Sequence, residues 1–234
     1  MRAGIIAAGQ GTRLQTAGVT TPKPLLKIGG RPLIARTIDG AKAAGASSIA
    51  VIVNAETDRV RRFLESEDFG ITIEIVQRTT ASSAESFLAL RPLLEPAPFL
   101  LLTVDAVLAP TALPTLVARA AQLPDAAGVL GVTTFVDDER PLWARLDASG
   151  RIRTLGDRAD ARHVTAGVYF LKPLVYSLVD AEPSREWSGF RVFLATLVER
   201  GYHLYGHDIG ASIDVDRPED ITAAERLLGL AGPG

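Results

Sequence analysis

The fold class of this chain is set by short apolar runs separated by helix-length amphipathic segments. Residues 49–53, 71–76 and 99–104 are β-branched or apolar on both parities almost throughout, the pattern of strands buried on two faces. Residues 4–8 add a first strand of the same kind, too short for a secretory core. Helical periodicity fills the intervals, at about 33–44, 57–64, 83–94 and 112–123, the last with Thr111 in N-cap position. Strand alternating with helix predicts an α/β fold with a mainly parallel sheet covered on both faces.

Past residue 125 the pattern changes. Strand candidates at 128–136, 143–146, 152–155 and 164–171 follow one another with few helices between them. Their connections include Asp137-Asp138-Glu139, the charged stretch 157–162 and the turn Asp147-Ala148-Ser149-Gly150, whose glycine suits a hairpin. Helices at 174–179 and 190–199, strands at 203–208 and 212–215, and a helix opening at Pro218 complete the reading, with Asp216 as a possible cap. There is no repeat, low-complexity tract or linker. One domain is expected, about 1–125 forming one half and about 126–234 a mixed-sheet second half.

The first strand runs directly into Ala7-Ala8-Gly9-Gln10-Gly11-Thr12-Arg13-Leu14. Glycines 9 and 11 let backbone N–H groups approach an anion closely. Thr12 adds a hydroxyl and Arg13 a planar guanidinium suited to phosphate oxygens. Lys23 follows between Pro22 and Pro24, which restrict the backbone that aims it. The spacing is not the dinucleotide fingerprint, because Arg13 and Leu14 stand where a third glycine belongs. Nor is it a Walker A loop, since no Gly-Lys-Ser/Thr follows.

Taken with Pro22-Lys23-Pro24-Leu25-Leu26 and Gly29-Gly30-Arg31-Pro32-Leu33-Ile34, this segment resembles the signature of the sugar-1-phosphate nucleotidyltransferase family, MobA-like enzymes included. The resemblance implies a Rossmann-like three-layer sandwich with a mixed, mainly parallel central sheet and a small antiparallel extension. It implies that the amides of Gly9, Gln10, Gly11 and Thr12 hold a nucleoside triphosphate, with Ala7 and Ala8 near its base. Arg13 would meet the departing pyrophosphate and Lys23 the α-phosphate. Gln77, followed by Ser82-Ser83 where relatives carry Gly-Thr, falls in the base-reading position; either serine also suits the cap of the helix after it. Thr165-Ala166-Gly167-Val168-Tyr169 is similar to the family's Asn-Ala-Gly-Ile-Tyr segment, which places Gly167 and Tyr169 beside the acceptor. Packing alone would equally account for both residues. Asp157-Arg158 replaces the family's Glu-Lys-Pro, and Trp187 and Arg191 fall in a region that borders the acceptor pocket in relatives.

Nucleotidyl transfer is phosphoryl chemistry, which needs positioning and charge neutralisation more than a general base. Mg²⁺ takes one or two carboxylates and completes its shell with phosphate and water. Asp105 ends the apolar run 99–104, where α/β sheets place ligands. Ser212-Ile213-Asp214-Val215-Asp216-Arg217-Pro218-Glu219-Asp220 resembles the family's DVDTPED-like segment, which makes Asp214 the second ligand. Strand alternation would put Asp216 on the same face. The expected partners are an NTP and a phosphorylated small molecule: a sugar-1-phosphate first, then a phosphocholine, cyclitol phosphate or phosphonate. Molybdopterin fits least, because Ala8 stands where that group has glycine. A nucleotide-binding subunit without catalysis is the rival of another class.

Composition removes other classes. With 25 basic and 27 acidic side chains, no positive field advertises nucleic acid. No apolar stretch is long enough to span a bilayer. The absence of cysteine excludes disulfides and thiolate metal sites, and a cytoplasmic address is the expectation. His163, His203 and His207 are too scattered for a metal triad.

Overall fold

A computed structural model describes residues 1–56, 58–136 and 141–230. Asp137-Asp138-Glu139 and Thr57, where the second helix was expected to start, lie outside the described residues.

The first half delivers the alternation. In chain order it contains β1 (Arg2–Ala7), α1 (Thr12–Thr16), β2 (Lys27–Ile28), β3 (Arg31–Pro32), α2 (Leu33–Ala43), β4 (Ser48–Val53), α3 (Asp58–Ser66), β5 (Thr72–Gln77), α4 (Ser83–Ala89), α5 (Arg91–Leu94), β6 (Phe99–Thr103), β7 (Ala106–Leu108) and α6 (Ala112–Ala121). The second half contains β8 (Gly128–Thr133), β9 (Trp143–Leu146), β10 (Ile152–Gly156), β11 (His163–Leu171), α7 (Ser177–Ala181), α8 (Phe190–Glu199), β12 (Leu204–Asp208), β13 (Ser212–Asp214) and α9 (Pro218–Leu227).

Among the described residues nine strands join in one sheet that crosses both halves, with the path β10-β9-β11-β6-β1-β4-β5 and with β8 pairing β11 and β12. β5, β4, β1 and β6 are mutually parallel, whereas β11 runs antiparallel to β6, β8 and β9. β12 is parallel to β8. The fold is therefore the expected three-layer α/β sandwich with a mixed, mainly parallel sheet and antiparallel additions.

The two-sided burial of the strands is visible residue by residue. Ala3, Ile5, Ile49, Val51, Leu100 and Leu102 enter one core under α2, α6 and α9. Ala50, Ile52, Phe99 and Leu101, of opposite parity, enter a second core under α4 and α8. That second core is aromatic: Phe87 lies 5.1 Å from Tyr176, 4.9 Å from Phe190 and 5.3 Å from Phe193, ring centre to ring centre. β5 differs from expectation. It is the sheet edge and only partly buried, which is why Thr72 and Glu74 are tolerated there.

Three local readings are corrected by the structure. The helix expected at 83–94 breaks at Leu90, because Pro92 has no N–H to continue the ladder and starts a new turn as α5. Thr111 precedes α6, but its hydroxyl caps nothing. Asp216 does not cap α9; the cap is Arg217, and the Asp220 carboxylate accepts from the N–H groups of both Asp216 and Arg217. The Asp147–Gly150 turn forms as read, with Gly150 at φ 83° between antiparallel β9 and β10.

The chain leaves β1 on one side toward β4 and β5 and returns to its other side as β6. The gap between the carboxyl ends of β1 and β6 is thus the topological switch point, where open α/β sheets bind ligands. A separate antiparallel ladder, β7 with β13, brings the C-terminal segment to this gap.

Candidate active site

A cleft of about 390 Å³ opens at the switch point. Gly9, Gly11, Thr12, Arg13 and Lys23 line it from the first loop, Ser83 from the start of α4, Asp105 from the end of β6, and Asp216 from the turn before α9. The structure therefore brings together residues separated by some two hundred positions in sequence.

The loop has its own internal logic. Gly11 sits at φ 63°, a left-handed conformation that favours glycine, and a Cβ there would come within 3.2 Å of the Lys23 Cβ. At Gly9 a Cβ would project into open space, so that glycine keeps the cleft wide rather than setting a turn. Gln10 is exposed, and its carbonyl accepts from the Gln15 side chain. Lys23 opens a short 3₁₀ turn, Lys23–Leu25, closed by Leu25 N–H donating to Pro22 O at 2.8 Å. The prolines on either side thus do hold the lysine on a fixed turn.

Lys23 is the electrostatic hub. Its Nζ donates to Asp105 Oδ2 at 2.6 Å and to Asp216 Oδ1 at 2.5 Å, and its side chain is only 9 % exposed. Arg13 Nη1 holds the other oxygen of Asp216 at 2.6 Å. Burial by itself would lower the Lys23 ammonium, but the Asp105 charge, with hydrogen bonds to Asp105 and Asp216, outweighs it and moves the group up. Burial would likewise raise Asp105; the Lys23 charge, the hydrogen bond from Lys23 and one from the Thr103 side chain hold it below its ordinary value. Both groups stay ionised across the neutral range.

Asp214 is carried to the same place by backbone pairing. It lies opposite Ala106 in the β7–β13 ladder, and Val215 N–H donates to the Asp105 carbonyl at 3.1 Å. Both carboxylates are close enough to bear on the Tyr169 phenol, which burial, the largest cause, pushes up to about 12. The strand ends at Asp214, and Asp216 N–H turns back to the Asp214 carbonyl at 3.0 Å. Asp216 thus reaches Lys23 through a turn, not through the strand alternation.

Other sequence-named residues lie at the margin. Ala7 and Ala8 are buried at the end of β1, the Ala8 carbonyl accepting from Asn54 Nδ2 at 3.3 Å. Gln77 is exposed, donates to Asp58 Oδ1 at 3.1 Å and is not among the residues lining the cleft. Ser82 is the N-cap of α4, accepting from Glu85 N–H at 3.1 Å, and its hydroxyl donates to the Trp187 carbonyl. Ser83 reaches the cleft while its Oγ accepts from Phe190 N–H at 2.9 Å. Arg158 stacks on Trp143, 5.0 Å from the ring centre.

Gly167 and Tyr169 do not line the cleft. Gly167 sits at φ 70° in a bulge of β11, where the pairing with β8 slips between Thr165 and Tyr169. A Cβ on Gly167 would stand 2.4 Å from Thr103 Oγ1. Tyr169 is buried, its ring 5.2 Å from that of Phe190.

Two residues escaped the sequence reading. Thr103 supports Asp105 from inside the apolar run, and nothing local distinguishes it from a strand threonine. Asn54 is 7 % exposed, and its Oδ1 accepts from Thr79 Oγ1 at 3.1 Å and from Glu56 N–H at 2.8 Å, so it ties three loops together behind Ala8. Its signal was present: a polar residue ends the run 49–53 just as Asp105 follows the run 99–104.

A second cavity, about 260 Å³ and mostly apolar, lies between α2, β7 and α6 on the other side of the Asp105 segment. The loop cations do not line it.

The residues gathered at the cleft can hold a polyanion between Arg13 and Lys23 and present hard carboxylate oxygens beside it. Comparison with known proteins gives a family for this arrangement. Residues 3–172 match the profile of the MobA-like NTP transferase domain, a span that includes Asp105 and stops before Asp214 and Asp216. A mannose-1-phosphate guanyltransferase of Candida albicans is 28 % identical over 246 residues, covering 97 % of this chain and 64 % of that protein. The bifunctional protein GlmU of Paraburkholderia phymatum is 33 % identical over 162 residues, covering 67 % of this chain and 33 % of GlmU. The chain thus spans less than two thirds of the length of these relatives. The inositol-1-phosphate CTP transferase from T. maritima has the same fold, with a TM-score of 0.75 at 22 % identity over 97 % of this chain and 95 % of that one. With the first loop, the parallel strands β4, β5 and β6 and the Asp105 segment all inside the matched span, the chain belongs to the MobA-like NTP transferase domain family.

Proposed function

We propose that this protein is a magnesium-dependent nucleotidyltransferase that joins an NTP to a sugar-1-phosphate, giving an NDP-sugar and pyrophosphate. The observation that carries the reading is the convergence of Arg13, Lys23 and Asp105 in one cleft at the switch point of the sheet. The names of the curated relatives supply the acceptor class: mannose-1-phosphate is a sugar phosphate.

The acceptor phosphate oxygen attacks the α-phosphorus in line. A new phosphorus–oxygen bond forms, the bond between the α-phosphorus and the bridging oxygen breaks, and pyrophosphate leaves with that oxygen. Arg13 and the amides of residues 9–12 hold the β- and γ-phosphates, while Lys23 neutralises charge growing on the α-phosphate. The attacking phosphate is already ionised near neutrality, so no general base is required, which agrees with a cleft that histidine does not line.

Asp105 and Asp214 would hold the metal. Their oxygens are the hard donors magnesium prefers, and the Val215–Asp105 backbone bond fixes the two segments against each other. Among the described residues no group of three or more metal-binding side chains occurs, which suits an ion that draws its remaining ligands from phosphate and water. When bound, magnesium supplies charge neutralisation and orients the phosphates. Among the described residues no helix is long and apolar enough to cross a membrane.

The test is a matrix of NTPs against sugar, cyclitol and choline phosphates, scored for pyrophosphate release with and without Mg²⁺. Release with a sugar-1-phosphate as best acceptor is expected. Tight NTP binding with no release in any pair would replace catalysis with a binding role.

A further inference from the structure

The two cations assigned to phosphate are already engaged by a carboxylate. One oxygen of Asp216 meets Lys23 and the other meets Arg13, at 2.5 and 2.6 Å. A phosphoryl group lying between a lysine and an arginine would present two oxygens in the same way. The three partners differ in freedom: the Lys23 side chain is 9 % exposed and pinned to Asp105, whereas Asp216 is 39 % exposed on a turn. That turn is held through the Asp216 main-chain N–H, which donates to the Asp220 side chain at 2.8 Å and to the Asp214 carbonyl at 3.0 Å, so the Asp216 side chain can swing without unfolding it.

We propose that Asp216 is an internal stand-in for phosphate: it holds Arg13 and Lys23 in place in the nucleotide-free protein and is displaced by the incoming triphosphate. This rests on the nucleotide-site reading above. The exchange has an electrostatic consequence. Lys23, Arg13, Asp105 and Asp216 sum to zero charge, so a triphosphate arriving alone meets two carboxylates that the cations no longer neutralise. A divalent cation arriving with the phosphates relieves that repulsion, and the released Asp216 would then face it. Asp216 is a positioning residue on this view, acting through Arg13 and Lys23.

The test is calorimetric binding of inorganic tripolyphosphate and of a non-hydrolysable NTP, each in EDTA and in Mg²⁺. The proteins are wild type, Asp216→Asn, Asp216→Ser, Asp216→Glu, Lys23→Ala and, as a control with the same change in net charge as Asp216→Asn, Glu199→Gln on α8. Both the Asn and Ser variants should bind tripolyphosphate in EDTA about tenfold tighter than wild type, a ratio equivalent to ~1.4 kcal/mol. Magnesium should shrink that ratio to about twofold, and Asp216→Glu should return toward wild-type binding, because a carboxylate competes again. Equal or weaker binding by both Asp216→Asn and Asp216→Ser in EDTA, with binding lost in Lys23→Ala, overturns the stand-in role and leaves the nucleotide site intact. Equal tightening by Glu199→Gln also overturns it, since a general field would then suffice. No binding of either ligand by wild type or any variant, with or without Mg²⁺, overturns the nucleotide site itself.

Discussion

Replacing Gly167 by alanine tests whether the bulge in β11 serves the acidic residues across the sheet. Two costs follow from the geometry. The backbone sits at φ 70°, and an L-residue held there costs ~1–2 kcal/mol. The new Cβ would also stand 2.4 Å from Thr103 Oγ1, and over-packing of this kind costs ~1–3 kcal/mol. Together they predict a loss of ~2–5 kcal/mol. For a chain of this size that lowers Tm by ~2–4 °C for each kcal/mol. Thr103 can escape only by turning its hydroxyl away, and that hydroxyl supports Asp105. Turnover should therefore fall together with stability. Thr103→Ala provides the internal control. It removes the clashing oxygen and leaves the Thr103 Cβ, which lies 3.6 Å from the new atom, at ordinary contact distance. In the double variant the main clash is relieved, a tight 3.3 Å contact with Ala106 Cβ and the φ strain of ~1–2 kcal/mol remain, and the two changes couple by ~1–3 kcal/mol. Urea unfolding of the four proteins measures all of this. A Gly167→Ala variant within ~1 kcal/mol of wild type, or strictly additive single effects, would refute the reasoning.

Lys23→Ala should lower pyrophosphate release by ~10²–10³-fold, the usual cost of losing one positioned transition-state donor. Its stability should fall by only ~1–2 kcal/mol, between the exposed and buried limits for an ion pair; near-normal turnover would remove Lys23 from the mechanism. Phe87→Ala empties the centre of the aromatic core and should cost ~3–5 kcal/mol, against less than ~1.5 for Phe87→Leu. Equal losses by thermal melting for the two would mean that the core collapses around the site. The Asp147 carboxyl is held at about 2, first by the Ser149 hydroxyl, below its ordinary 3.8. A depressed acid stabilises the fold fully above the unfolded value and ceases to as pH falls from there through about 2. Wild type should thus lose stability more steeply than Asp147→Asn between pH ~4 and ~2, and parallel acid-unfolding curves would exclude that role.

The parallel half of the fold was legible because each strand announces itself in isolation: residues 49–53 and 99–103 need partners on both faces whatever those partners are. The same locality explains the misreadings. Pro92 breaks a helix whose apolar pattern runs through it, and the pattern outweighed the missing N–H. Within the site, Gly11, Arg13, Lys23 and Asp105 could be read because each stands in a local pattern that needs a chemical reason. Gly167 was read either as a place for the acceptor to approach or as packing, and the φ and the distance to Thr103 that detail its packing emerge only from the β6–β11 pairing. Asp216 was weighed from strand alternation, but its position depends on the turn after β13 and on cations about two hundred residues earlier. Contacts at that separation leave no mark on neighbouring residues.

The β7–β13 ladder has a consequence for synthesis. It places one of the acidic segments of the cleft on residues 212–216, while the loop that meets them is made within the first twenty-five. A growing chain can complete the sheet from β1 to β11 and still lack that segment. On the proposed function, the cleft would gain its full set of acids only once β13 has emerged and paired with β7. Until then the nascent protein would be an ordered scaffold in which Lys23 has Asp105 but not yet Asp216 to meet.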